Sequence, residues 1–345
     1  MTAPDRGVDF DLERFDAFLA RTFGGAGGLT RLERTQGGMS NPTYFVRRGD
    51  WRAVLRKQPG HALMPSAHAI DREYRVLTAL QDSGVPVPKP ILYCEDRALL
   101  GTPFYLMEWI EGRVFLEYAT PGLAREERRE LYRAMSATMA ALHRLDYRAL
   151  GLADYGRPGN YFARQLKRWS GQWAQFRQGD DDNPDLDRMV AWLSDHVPES
   201  ELLTLCHGDF RIGNMMFHPT EPRVVGVLDW ELSTLGHPLI DLAFNCQAWR
   251  MAPDENGGLL GLPLDELGIP SEAEYLEDYY AAAGYSERLT PFHVVFAMFR
   301  GAVGSASVAA RGDAGHGVLP DAARVGRRLA RAYAQRGAAL ISEGA

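Results

Sequence analysis

Positive charge is what this sequence is short of. It sets 38 Lys and Arg against 45 Asp and Glu, a net charge of −7. A general nucleic-acid binder, which needs a basic surface, is therefore not expected, and any anionic ligand must be held by local groups. Cysteine is scarce as well. Cys94, Cys206 and Cys246 are odd in number, widely spaced and without a C-x-x-C pair, which speaks against a zinc site or a disulfide framework and points to a reducing cytoplasm. Nowhere do eighteen apolar residues run together, and the opening MTAPDRGVDFDLERFD lacks an apolar leader core, so neither a membrane span nor a secretory signal is expected. Internal repeats and low-complexity segments are missing too. What remains is 345 residues, 46% hydrophobic and 24% charged, enough for two lobes with substantial cores.

The chemistry concentrates between Leu205 and Leu242. A strand-like Leu203–Cys206 leads into His207-Gly208-Asp209, and Asn214 follows five residues after that aspartate. Two apolar runs, Met215 to Phe217 and Val224 to Leu228, flank the turn-forming His218-Pro219-Thr220-Glu221-Pro222 and read as a β-hairpin. The second run ends at Asp229. Two carboxylates and a carboxamide can thus converge on one small volume. Phosphoryl transfer needs that set: one carboxylate to orient the acceptor hydroxyl and take its proton, and oxygen donors to hold Mg²⁺ against the phosphates. Asp209 is then the base, with Asn214 and Asp229 the metal ligands. Taken singly, each of these residues would more often cap a helix or close a turn.

The preceding residues add to this. Leu12, Phe15, Phe18 and Leu19 form a helical stripe over 11–20 that packs on a sheet. Leu32 to Val46 reads as strand, turn and strand, with Gln36-Gly37-Gly38-Met39-Ser40-Asn41 at the turn. Glycines and short polar side chains let phosphates approach the backbone, although an ordinary hairpin has the same look. Trp51 to Lys57 alternates as a third strand ending on two basic residues. A helix over 67–80 carries Glu73, and Phe104 to Met107 is an apolar strand followed by Glu108-Trp109-Ile110-Glu111-Gly112.

This pattern resembles the catalytic loop and metal aspartate of protein kinases, with Gly208 where those have Arg and Asp229-Trp230-Glu231 where those have D-F-G. The HGD…N…DW form is similar to the aminoglycoside phosphotransferase and choline kinase superfamily, over roughly Leu32 to Leu340. Stretches such as HGDFRIGN, SAHAIDREYRVL and LDWELSTLG look most like the kinase-like modules related to those fused with acyl-CoA dehydrogenases. The resemblance implies an α+β, bilobal protein-kinase-like fold. An N-terminal lobe of antiparallel sheet and helix would span 1–107, and a larger, mainly helical lobe 108–345, with the hinge at 108–112. It implies ATP and Mg²⁺ as cofactors. Ser40 and Asn41 would lie at the phosphates, and Arg56 would grip them, or Lys57 if the strand register slips by one. Glu73 would pair with that cation. The backbone of Glu108 and Ile110 would meet adenine, with Met107 behind it. Arg211, two residues past the base, matches a lysine of serine/threonine kinases and would stabilise charge on the transferred phosphate. Asp241 matches a position that buttresses the catalytic loop. His237 stands where many relatives have Asp and is given no role.

The later helices are expected at 126–145, 161–176, 241–249, 272–283, 291–310 and 321–340. The seam Phe162, Leu166, Trp169, Trp173 and Phe176 reads first as core, flanked by Arg164, Lys167 and Arg168 where the superfamily builds its acceptor site. The run from Gly179 to Asp185 lacks calcium-loop spacing and reads as a solvated turn. His143 is expected to be a helix-end residue and not a catalyst, and the basic face of the last helix (Arg324, Arg327, Arg328, Arg331) to be solvated or, alternatively, to meet an anionic partner. The function expected is a small-molecule kinase moving the γ-phosphate of ATP to a hydroxyl of a metabolite, possible acceptors including a hydroxyacyl compound. The alternatives are an aminoglycoside 3'-type phosphotransferase and a non-catalytic nucleotide-binding regulatory module. The expected setting is cytoplasmic, as monomer or homodimer, with a small-molecule acceptor and no nucleic-acid or membrane partner.

Overall fold

A computed structural model describes residues 8–24, 29–35, 41–60, 70–157, 159–177, 183–200, 202–315 and 321–344. The glycine turn 36–40 with Ser40, the first residues of the helix expected from 67, and 179–182 of the acidic run lie outside the described residues. The chain divides into two compact units, Met1–Gly112 with Val225–Glu231, and Arg113–Val224 with Leu232–Ala345.

In the first unit, α1 (Leu12–Phe23) starts where the Asp11 carboxylate accepts the Arg14 N–H at 3.1 Å, and it buries Phe15 and Leu19. β1 (Arg31–Arg34), β2 (Thr43–Arg48) and β3 (Trp51–Lys57) follow, then α2 (Ile70–Leu80), β4 (Pro90–Cys94), the short α3 (Arg97–Leu100) and β5 (Phe104–Met107). The five strands form an antiparallel sheet in the order β1-β2-β3-β5-β4. β4 opens on Pro90, which a sheet edge tolerates because no ladder N–H is lost there. One face of the sheet packs Leu32, Tyr44, Val46, Leu55, Phe104 and Leu106 against Phe15 and Leu19 of α1.

The second unit holds α4 (Arg125–His143), α5 (Tyr161–Phe176), α6 (Pro184–Asp195), β6 (Thr204–Cys206) and β7 (Met215–Phe217). β8 (Val224–Val227) forms a two-stranded sheet with β7 and carries the chain on toward Glu231. β9 (Thr234–Gly236) pairs antiparallel with β6. Then come α7 (Leu239–Asn245), α8 (Leu264–Leu267), α9 (Glu272–Ala283), α10 (Pro291–Asp313) and α11 (Ala322–Ser342). α10 packs against α5, α6, α7 and α11. Among the described residues it alone is long and apolar enough to cross a membrane, and 67% of that stretch is buried inside the unit. The α5 seam is core: Phe162, Leu166 and Trp173 are buried with Phe296, Phe299 and Tyr333.

α6 and β9 were not expected from the sequence. α6 starts inside the acidic run, with Pro184 in its first turn and the Asn183 side chain accepting the Leu186 N–H, a cap that a reading of the run as solvated turn overlooks. The basic face of α11 is partly paired, Arg324 with Asp321 at 3.1 Å and Arg328 with Asp254 at 3.5 Å.

Candidate active site

The first unit gathers charge at the end of β3. Successive side chains of a strand point to opposite faces, so Arg56 and Lys57 part company. Lys57 is buried on the α1 side, where its Nζ meets both Asp9 carboxylate oxygens at 2.8 Å. Arg56 turns the other way. Its Nε lies 2.8 Å from Glu73 Oε2 and its Nη2 2.6 Å from Asp229 Oδ1, with Glu231 Oε2 at 3.6 Å. Burial alone would draw the guanidinium pKa down, but Glu73, Tyr105, Asp229 and Glu231 around it drive it up, so it stays charged. Burial pushes the Glu73 carboxyl up, and Asp229 adds to this. Arg56 and hydrogen bonds from Tyr105 Oη (2.9 Å) and Asn41 Nδ2 (2.7 Å) offset only part of it. Asn41 is thus a partner of Glu73 here. Asp229 itself adopts a left-handed backbone, φ 65°, a conformation that a short polar side chain tolerates, and the turn is stapled by Trp230 Nε1 donating to the Val227 carbonyl at 2.9 Å.

At the end of β5, Met107 pairs across the ladder with Val54 and Pro90. The Glu108 N–H is taken by the Lys89 carbonyl at 2.8 Å, so a base-pairing role for Glu108 falls to its carbonyl. Ile110 is half-buried. Trp109 stacks on Phe45 with ring centroids 4.3 Å apart, and the Arg47 guanidinium lies 4.8 Å from the same ring.

The second unit fixes the other cluster. β6 delivers His207-Gly208-Asp209 to the first turn of α7, where Asp241 accepts the N–H groups of His207 at 2.6 Å and Gly208 at 2.8 Å. Asp241 is fully buried and also faces His143 Nε2 at 3.2 Å, while His143 Nδ1 meets the Tyr279 hydroxyl at 2.7 Å. Burial would raise this carboxyl, but the hydrogen bond and charge of His143, His207 and the Gly208 N–H together hold it below the usual aspartate value. Gly208 has φ +84°, and a Cβ there would overlap the Leu232 carbonyl oxygen. No side chain fits there. The Asp209 N–H donates to His207 Nδ1 at 3.1 Å. Its carboxylate Oδ2 receives Asn214 Nδ2 at 2.7 Å and Arg211 Nε at 3.2 Å, and Asn214 Nδ2 also reaches the Asp209 carbonyl at 2.9 Å.

Arg211 lines a small cleft shared with Tyr118, Phe244, Gln247, Asn256 and Tyr333, and among the described residues no carboxylate lines it. Of the residues singled out from sequence, Arg56, Glu73, Asn41 and Asp229 come together in the first unit, and Asp209, Arg211 and Asn214 in the second. Sequence reasoning missed Tyr105 and assigned His143 only a helix end. Tyr105 had no signal in the sequence, because its place across the ladder from Arg56 emerges only with the fold. His143 had none, because its partners Asp241 and Tyr279 lie far along the chain.

A model of the phosphotransferase enzyme family matches residues 31–290. Mouse acyl-CoA dehydrogenase family member 10 is 40% identical over 282 residues, covering 79% of this chain and 26% of that protein. The chain spans about a quarter to two fifths of the curated relatives it matches. A solved chain from Ralstonia eutropha, named provisionally as an aminoglycoside phosphotransferase, is 39% identical with a TM-score of 0.85, covering 97% of this chain and 99% of that one. Choline kinase from Cryptosporidium parvum shares the fold at 12% identity, with a TM-score of 0.68 and 97% of each chain covered.

Proposed function

The chain belongs to the phosphotransferase enzyme family, and we propose that within it this protein is a small-molecule kinase. It moves the γ-phosphate of ATP to a hydroxyl of a neutral or anionic metabolite, a hydroxyacyl compound fitting best. The observation that carries this reading is the Asp209 carboxylate, held by Asn214 at 2.7 Å and Arg211 at 3.2 Å in a loop whose N–H groups are gripped by Asp241.

Each proposed donor suits magnesium by its own chemistry. Asn214 spends its amide nitrogen on Asp209, which leaves its oxygen as a hard donor, and the Asp229 carboxylate is another. Bound Mg²⁺ would screen the phosphate charge as the bond to the leaving oxygen breaks. Asp209 orients the acceptor hydroxyl and takes its proton. Arg56, a rigid fork kept charged by its carboxylate neighbours, binds phosphate oxygens, and Glu73 holds that fork in place. Arg211 meets charge developing on the transferred group.

Two features support the choice of acceptor. Around Arg211, whose Nε reaches the Asp209 carboxylate, the described residues of a small cleft of about 20 Å³ bring amide and phenol groups and add no further acid, where a polycationic aminoglycoside would call for several. The relatives are named as acyl-CoA dehydrogenases, a setting in which an acyl chain bearing a hydroxyl is the natural acceptor. The three cysteines are free, which supports a reducing, cytoplasmic setting. ADP release with Mg·ATP, measured across hydroxy acids, hydroxyacyl thioesters and aminoglycosides, tests the reading. Release with the hydroxyacyl set and not the drugs is expected. Release with aminoglycosides alone would replace this acceptor, and Mg·ATP binding without release across the panel would favour a regulatory module.

A further inference from the structure

We propose that Arg300, midway along α10, is a positioning residue for the catalytic loop: its guanidinium fixes the peptide plane that carries the base Asp209. Calling Asp209 the base rests on the reading above; the contact itself does not.

Arg300 is 7% exposed. Its Nη2 donates to the Gly208 carbonyl at 2.8 Å, across 92 residues of sequence. The guanidinium lies 5.5 Å from the Trp169 ring centroid, on α5, and 5.3 Å from that of Phe244, on α7. Its Nε and Nη1 are buried without a hydrogen-bond partner among the described residues. Unmatched buried donors are costly, and a neutral side chain of the same length would fill the space between the rings without that cost. Packing therefore does not account for an arginine here. The bond to Gly208 does, with the two ring faces attracting the same charge.

That carbonyl belongs to the peptide joining Gly208 to Asp209. The N–H at the other end of the same peptide is held by His207 Nδ1 at 3.1 Å. The plane leading into the Asp209 Cα is thus pinned at both ends, and its tilt sets where the carboxylate starts from. The neighbouring groups are held by other side chains: the N–H groups of His207 and Gly208 by Asp241, and the Phe210 carbonyl by Asn245 Nδ2 at 3.0 Å. Gly208 has no room for a side chain of its own, so the cation reaches the loop from α10, through the backbone.

The test compares Arg300→Met and Arg300→Lys with the unmodified chain in two measurements. Hydrogen–deuterium exchange of the segment 203–217 is expected to quicken on the order of tenfold in Arg300→Met, with α4 unchanged, because the loop loses an anchor and opens locally. With Mg·ATP and whichever hydroxyacyl compound supports ADP release, kcat is expected to fall roughly 10- to 100-fold while KM for ATP stays within about twofold, as a misplaced base predicts. Arg300→Lys keeps the charge and stem and should fall between. If Arg300→Met does not fold, Arg300→Lys decides by the same kcat-against-KM split and the same exchange. Unchanged exchange across 203–217 in the folded variants would overturn the proposal whatever the turnover. A parent chain that releases no ADP would remove the kinase reading, and the exchange result would still decide whether Arg300 holds the loop.

Discussion

Asn214 turns one nitrogen on Asp209 twice, to its carboxylate at 2.7 Å and to its backbone carbonyl at 2.9 Å. A single amide nitrogen thus fixes both the side chain and the main chain of the proposed base. Asp209→Asn should lower kcat about 10²- to 10⁴-fold, the usual worth of a positioned base. The Mg·ATP dissociation constant should stay within a few-fold, since Asp209 is not among the proposed nucleotide or metal ligands. ADP release and calorimetric titration with Mg·ATP check the two halves. Near-normal turnover would remove Asp209 from the role.

Arg56 and Lys57 can be told apart by stability as well as by binding. Arg56→Met leaves Glu73, 1% exposed, without its cation, and should destabilise by about 3–5 kcal/mol, as breaking a buried pair does. Adding Glu73→Gln should recover part of that loss. Lys57→Met acts against Asp9, whose side chain is 47% exposed, so water can take over the carboxylate and the cost should be smaller. Urea unfolding measures all three variants. Nucleotide titration should weaken only for those carrying Arg56→Met.

Gly208 and Gly284 separate backbone strain from lack of room. Both lie at positive φ, +84° and +75°, but a Cβ at Gly284 meets nothing within 4 Å, whereas one at Gly208 overlaps the Leu232 carbonyl. Gly284→Ala should cost about 1 kcal/mol. Gly208→Ala should cost clearly more and take activity with it. Equal unfolding midpoints would show that the loop yields.

His293 gives the pH dependence. Burial, with His237 beside it, draws its pKa from 6.5 to about 3, and its Nδ1 accepts the Thr290 N–H at 3.1 Å. The unfolded chain protonates this histidine below about 6.5 and the folded chain does not. Its stabilising contribution is therefore intact above that pH and is lost as pH falls toward about 3, by roughly 1.4 kcal/mol per unit. His237, lowered by burial too, acts in the same direction. His293→Gln should flatten the dependence of the urea midpoint between pH 6 and 4 by about one proton. An unchanged slope would show that His293 titrates normally.

The sheet, the hairpin and most helices were legible because each follows from local pattern: alternation in Trp51–Lys57, a 3.6-residue stripe in Phe15 and Leu19, Pro219 and Pro222 at the hairpin turn. The HGD…N…DW spacing was legible for the same reason, being confined to one stretch. What sequence could not supply is contact across long separations. Tyr105 on Glu73, His143 on Asp241 and Arg300 on Gly208 join residues 32, 98 and 92 positions apart, and no periodicity marks them. α6 was missed for a different reason, its Asn183 cap being absorbed into an acidic run whose earlier residues looked like solvated turn.

The two-faced end of β3 has a consequence for how this protein can vary. Deleting one residue between Trp51 and Arg56 would trade the guanidinium at Glu73 for an ammonium and strand an arginine among the aromatic rings beside α1, and inserting one would put Leu55 in its place. A change of two would restore both facings. Since a two-residue step still carries Arg56 about 7 Å along the strand from Glu73, homologous chains should hold the length of this strand constant, with any insertion compensated by a bulge.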